Sequence, residues 1–97
     1  MTVISILDAR IKADALDSAP ALITSILETT RAFAGSLGTE VAIDADDPAH
    51  FLLVERWESI EADDAYRAFR ATPEGVSGLA DILAAPPVLT RAELTDI

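Results

Sequence analysis

The chain offers few groups for polar chemistry and almost none for binding metals. It has one histidine, His50, and no cysteine, so it can assemble neither a His-x-x-x-His motif nor a thiolate pair and has no thiol nucleophile. A hydrolytic triad would have to be built on His50, which follows the Asp46-Asp47-Pro48 turn at the start of an extended run. A solvated polar side chain is ordinary there, and no catalytic role is assigned to it. The acidic run Asp44, Asp46 and Asp47 lacks the glycine and the distal glutamate of a calcium loop and reads as a hairpin turn. Gly35-Ser36-Leu37-Gly38 and Gly75-Val76-Ser77-Gly78 resemble phosphate-gripping loops in spelling only, because no lysine lies beside them. The informative stretch runs from Phe51 to Phe69 and holds the chain's single tryptophan, Trp57, and single tyrosine, Tyr66. Each joins an apolar ring to a polar tip.

Charge narrows the partners. Seventeen acidic against seven basic residues give a formal charge of −10, which repels phosphate backbones and anionic lipid alike. Neither nucleic acid nor membrane is expected as a partner. No apolar run approaches the roughly 18 to 20 residues that span a bilayer, and the N-terminus lacks the basic region of a secretory signal, so a cytoplasmic location is expected.

The elements that must position these residues follow from periodicity. With 97 residues, 51% hydrophobic and 25% charged, residues 1–97 are expected to form a single globular domain. Val3 to Lys12 alternates as a first strand, with Val3, Leu7, Ala9 and Ile11 on one side and Ile4, Ile6, Asp8 and Arg10 on the other. Ser18 can cap a helix that carries Pro20 in its first turn, an apolar stripe through Ile23, Leu27 and Phe33, and an end at Gly35. Leu37, Thr39, Val41 and Ile43 alternate with Gly38, Glu40, Ala42 and Asp44, and after the acidic turn the run His50 to Trp57 completes a hairpin. Ser59 can cap a second helix with Ala62, Ala65, Tyr66 and Phe69 on one face and an Asp63–Arg67 pair on the other. Thr72-Pro73 reads as a fresh start for a further turn or two with Val76, Leu79 and Leu83 inward, stopped by Ala85-Pro86-Pro87. Val88 to Thr95 alternates as a last strand. The order β-α-β-β-α-β, with its second helix broken, is that of a ferredoxin-like α+β fold: an antiparallel sheet with its helices on one face.

The opposite face should then be polar if it meets only water, yet Ile4, Ile6, Leu52 and Val54 fall on it while Val3, Leu7, Phe51, Leu53 and Trp57 fall on the helix side. A second copy of the sheet would cover it, giving a homodimer. A central strand covered by a loop is the blander alternative.

The segment Phe51-Leu-Leu-Val-Glu-Arg-Trp57-Glu58-Ser59, followed by Ala65-Tyr66-Arg67, resembles the antibiotic biosynthesis monooxygenase family and within it the polyketide-tailoring branch. The likeness is tight over residues 46 to 69 and looser over most of the rest. It implies a dimeric α+β barrel and oxidation of a small phenolic, quinol or polyketide aromatic by O₂ without cofactor or metal. It also implies a cavity into which Trp57 and Tyr66 point as catalytic or oxygen-holding groups, walled by Phe33, Phe51, Leu53 and Phe69, with Glu55 as base or polar anchor. The chain departs from the branch at Leu53, where an asparagine can bind a carbonyl, and at Ala80, near the place of a basic residue. The haem-degrading branch expects an asparagine in the first strand and a histidine on the second helix; this chain has no asparagine and Tyr66 at the histidine's place. Large aromatics ending a buried strand or facing inward from a helix are also ordinary core residues. The alternative function is therefore a non-catalytic dimeric barrel that binds a hydrophobic ligand or serves as an interaction module.

Overall fold

A computed structural model describes all 97 residues. The strands are β1 (Val3–Arg10), β2 (Ser36–Ile43), β3 (His50–Trp57) and β4 (Val88–Glu93), the helices α1 (Ala19–Ala32) and α2 (Ile60–Arg70), with short 3₁₀ turns at Ala13–Ala15 and Leu79–Ile82. The sheet runs β2-β3-β1-β4 with every pairing antiparallel, and both helices pack on one face. This is the ferredoxin-like α+β arrangement expected from the order of elements.

Register decides which side chains share that face. Val3 lies opposite Trp57, Ser5 opposite Glu55, Leu7 opposite Leu53 and Ala9 opposite Phe51. From β2, Thr39 lies opposite Glu55, Val41 opposite Leu53 and Ile43 opposite Phe51. Directly opposed residues point to the same face, so the helix side of β3 carries Phe51, Leu53, Glu55 and Trp57 in that order. The core on this side has two apolar parts. One joins Ala9, Ile11, Phe51 and Leu53 to Ile23 and Leu27 of α1, and the other joins Val3, Trp57 and Tyr66. Each fully buried large apolar side chain contributes about 1.5–3 kcal/mol.

Local chemistry sets the joints. Asp44 and Asp47 accept the backbone N–H groups of Asp46 and Ala49, both at 2.9 Å, closing the hairpin as two Asx turns. Ser59 caps α2 by accepting the Ala62 N–H at 3.1 Å. Ser18 does not cap α1. Its backbone is already helical because the 3₁₀ turn runs into the helix, and its hydroxyl donates back to the Ala15 carbonyl. α1 ends at Ala32, with Phe33 extended and Gly35 at φ +89° turning the chain into β2, where a Cβ would lie 2.5 Å from Ala62 Cβ. Only glycine fits that crossing.

Two further expectations are corrected. Asp63 and Arg67 do pair, but not on a solvent face: Asp63 is 0% exposed and Ala65 is exposed. The sheet supplies the reason, because Ser5 and Arg91 reach Asp63 from below and satisfy it. Beyond α2, Thr72 closes a single turn through the Gly75 and Val76 amides. Leu83 is buried and Leu79 partly so, but Val76 is 69% exposed, because the chain leaves that turn before it reaches the core. On the sheet's other face Ile4, Ile6, Leu52 and Val54 are half-buried and no element of the chain lies over them. No helix is long and apolar enough to cross a membrane.

Candidate functional site

The end of the helix face where β3 meets α2 is filled. Trp57 is 0% exposed, and its ring centroid lies 4.9 Å from that of Tyr66. Phe33, carried over them by the chain leaving α1, meets Trp57 edge-on at 6.2 Å and Tyr66 at 5.3 Å, and Phe69 packs behind it at 5.4 Å. The polar tips are already used. The Tyr66 hydroxyl is 2.7 Å from Thr30 Oγ1 and accepts the Arg70 Nε–H at 2.8 Å, while Thr30 donates to the Ile26 carbonyl. The indole N–H of Trp57 donates to Glu55 Oε1 at 3.4 Å. A substrate touching Trp57 and Tyr66 directly would need Phe33 to leave its place.

Beside this cluster lies a buried ionic network. Asp63 accepts from Ser5 at 3.0 Å, from Arg67 Nε at 3.0 Å and from Arg91, which also reaches Asp64. Arg67 extends to Glu55 Oε1. Burial pushes the Glu55 carboxyl above the ordinary carboxylate range, against the pull of Arg67 and the Trp57 N–H. Both of its hydrogen bonds fall on Oε1. Its cross-strand neighbour Thr39 is 6% exposed, and the Thr39 hydroxyl has no hydrogen-bond partner.

Open space lies at the other end of the face. A cleft of about 260 Å³, open to solvent beside the exposed Ile43, is walled by Ile23, Thr24 and Leu27 of α1, Val41 and Ile43 of β2 and Phe51 of β3, with Ile11, Leu16, Ala19, Pro20 and Pro48 completing its lining. It lies just below the usual range for ligand pockets, about 300–1,000 Å³, which suits a small aromatic better than a large polycycle. Its walls hold no charge, and the Thr24 hydroxyl is spent on the Pro20 carbonyl at 2.8 Å. Phe51 and Trp57 are six residues apart on one strand, or about 20 Å, so a ligand here does not touch Trp57.

The structure thus distributes the expected site residues along one face. Phe51 lines the cavity; Leu53 is buried in the core one row further on; Glu55 follows beside Thr39; Trp57, Tyr66, Phe33 and Phe69 close the far end. Sequence reasoning missed Val41, Ile43 and the α1 stripe as cavity walls, and Thr39 as a candidate site residue. The α1 and β2 periodicities pointed these residues inward, but the gap between helix and strand edge has no local signature. His50 lies on the opposite face, its Nδ1 and Nε2 each 2.8 Å from a carboxylate, of Asp44 and Asp8. No three His, Asp or Glu side chains converge where they would hold a metal ion.

Known proteins place this arrangement. The structure of Rv0793 from Mycobacterium tuberculosis superposes with a TM-score of 0.82 at 24% identity, over 100% of this chain and 98% of that one. A crystal structure of an antibiotic biosynthesis monooxygenase gives 0.80 at 23% identity, over 96% and 98%, and a conserved protein from Methanosarcina mazei gives 0.84 at 13%, over 98% and 94%. At these identities the likeness is one of fold. No curated protein matches the chain. The sequence model of the antibiotic biosynthesis monooxygenase family matches residues 2–76, from β1 to the turn beyond α2, and on that match, most of its length, the chain belongs to the antibiotic biosynthesis monooxygenase family.

Proposed function

We propose that the protein is a cofactor-independent monooxygenase that oxidises a small phenolic, quinol or anthrone-type aromatic with O₂, holding the ring system in the cavity between α1 and the β2–β3 edge. The observation that carries this reading is that cavity: an uncharged apolar space of about 260 Å³ on the helix side of a monooxygenase-family sheet. The chemistry asks little else of a protein. A substrate that loses a proton becomes an electron-rich anion and passes an electron to O₂; the radical pair combines to a peroxide, which takes up the proton and loses water to leave a new carbonyl. One CH₂ and one O₂ give one C=O and one H₂O, with the substrate as the reductant. The protein contributes desolvation, orientation and control of the proton. In this reading Trp57 positions Glu55 through its indole N–H, and Tyr66 ties α2 to α1 at the closed end.

The proposed working form is a homodimer. Ile4, Ile6, Leu52 and Val54 share the face that no element of the chain covers, and burial against a second copy would remove that apolar surface from water. A second reading, a dimer that binds a hydrophobic ligand without turnover, draws on the absence of a free polar group in the cavity wall. Oxygen uptake separates the two. Purified protein with a panel of anthrones, naphthols and hydroquinones is expected to consume O₂ above the autoxidation rate, and Ile43→Trp, which puts a larger ring at the cavity mouth, is expected to abolish the excess. Binding without uptake would favour the second reading.

A further inference from the structure

Among the buried polar side chains on the helix side of the sheet, one stands apart. Ser5, Thr30, Asp63 and Tyr66 all have hydrogen-bond partners. The Thr39 hydroxyl has none, although the residue is only 6% exposed. An orphaned hydroxyl in a core costs stability that an apolar residue of the same shape, valine, would avoid. Its neighbour across the strand pair is Glu55, with Cβ atoms about 5 Å away. The bonds from Arg67 and Trp57 both hold Glu55 Oε1, which leaves Oε2 uncommitted. The cavity-lining residue Val41 is two residues from Thr39 on the same strand face, a distance of about 7 Å. The order along the sheet is therefore apolar cavity, then, one row beyond its Val41 wall, an unpartnered hydroxyl paired across the strands with a carboxylate that has one oxygen uncommitted, then the closed aromatic end.

We propose that Thr39 and Glu55 are the polar end of the substrate site, with the Thr39 hydroxyl bonding the phenolic or carbonyl oxygen of the aromatic in the cavity and Glu55 Oε2 accepting the proton that the substrate releases. The assignment rests on the cavity being the substrate site. Glu55 takes the proton as the substrate anion forms and returns it to the peroxide oxygen after O₂ has added, which regenerates the carboxylate; the O–O bond and the remaining C–H bond then break to give the carbonyl and water. The Arg67 and Trp57 bonds hold Oε1 and thereby aim Oε2. Burial, which raises the affinity of Glu55 for a proton, suits it to this exchange.

The test compares 1-naphthol with naphthalene, which lacks only the hydroxyl, by equilibrium binding without oxygen. Wild type is expected to prefer naphthol by roughly five- to tenfold, the worth of one buried hydrogen bond. Thr39→Val is expected to erase that preference, keep naphthalene binding and melt at a higher temperature than wild type; Thr39→Ser is expected to restore the preference. Glu55→Gln is expected to bind naphthol within twofold of wild type, yet lose about a hundredfold or more of anthrone-driven O₂ uptake. An undiminished preference in Thr39→Val, with both ligands displaced by Ile43→Trp, would overturn this assignment and leave the cavity reading standing. Failure of wild type to bind either ligand would overturn both.

Discussion

Asp63 is the residue whose loss the structure makes most costly. It is 0% exposed and accepts bonds from Ser5, Arg67 and Arg91, which link α2 to β1 and β4. Replacing it with alanine leaves the Ser5 hydroxyl, also 0% exposed, without an acceptor, and strips the carboxylate from two guanidiniums. Arg67 keeps Glu55 and Arg91 keeps Asp64, so neither cation is wholly abandoned, but both are partly buried. Breaking a buried pair from one side costs about 3–5 kcal/mol, and the orphaned serine belongs within that range. For a domain of this size such a loss lowers Tm by roughly 15–30 °C. Arg91→Met removes one of three donors and is expected to cost about 1–2 kcal/mol. The two residues should couple in a double-mutant cycle by about 1 kcal/mol or more. Urea unfolding followed by circular dichroism reads all of these. A loss below about 1 kcal/mol for Asp63→Ala, or strict additivity with Arg91→Met, would refute the claim that this network seats α2 on the sheet.

Other consequences are smaller. His50 donates to carboxylates through both ring nitrogens only as the imidazolium, and the bonds to Asp44 and then Asp8 raise its pKa. Its contribution is therefore complete below the ordinary imidazole value of about 6.5 and is lost as pH rises through the raised one. Unfolding free energy should fall across that window in wild type and stay flatter in His50→Gln. Gly35→Ala forces a side chain into a φ of +89° and against Ala62, and is expected to cost about 2 kcal/mol or more by thermal unfolding. Tyr66→Phe removes one acceptor from Arg70, which keeps the Ile26 and Gly75 carbonyls. It should cost about 1 kcal/mol while leaving naphthol affinity within twofold; a larger drop in affinity would place the phenol against the ligand.

Much of the fold was legible because alternation and capping are local. The strands, the hairpin turn and the Ser59 cap follow from neighbours a few residues away, and the apolar stretches of β1 and β3 revealed a sheet with two apolar faces. The environment of Asp63 was not legible. Its i,i+4 partner Arg67 looked like a surface pair, while the contacts that bury it come from Ser5 and Arg91, 58 and 28 residues distant. Trp57 and Tyr66 stood out as the only residues of their kinds, and the chain brings them together, but whether their polar tips face a cavity depends on where the segment after α1 drops Phe33. The signal at Thr39 is an absence of partners, which no sequence pattern displays.

The most direct test of the account is an ¹⁸O₂ experiment with an anthrone small enough for the cavity. Wild type is predicted to take up one O₂ per substrate above the autoxidation rate and to place one labelled oxygen in the product carbonyl and the other in water, with the excess abolished in Ile43→Trp. An uptake rate equal to autoxidation would contradict the monooxygenase reading, and an undiminished excess in Ile43→Trp would contradict its location.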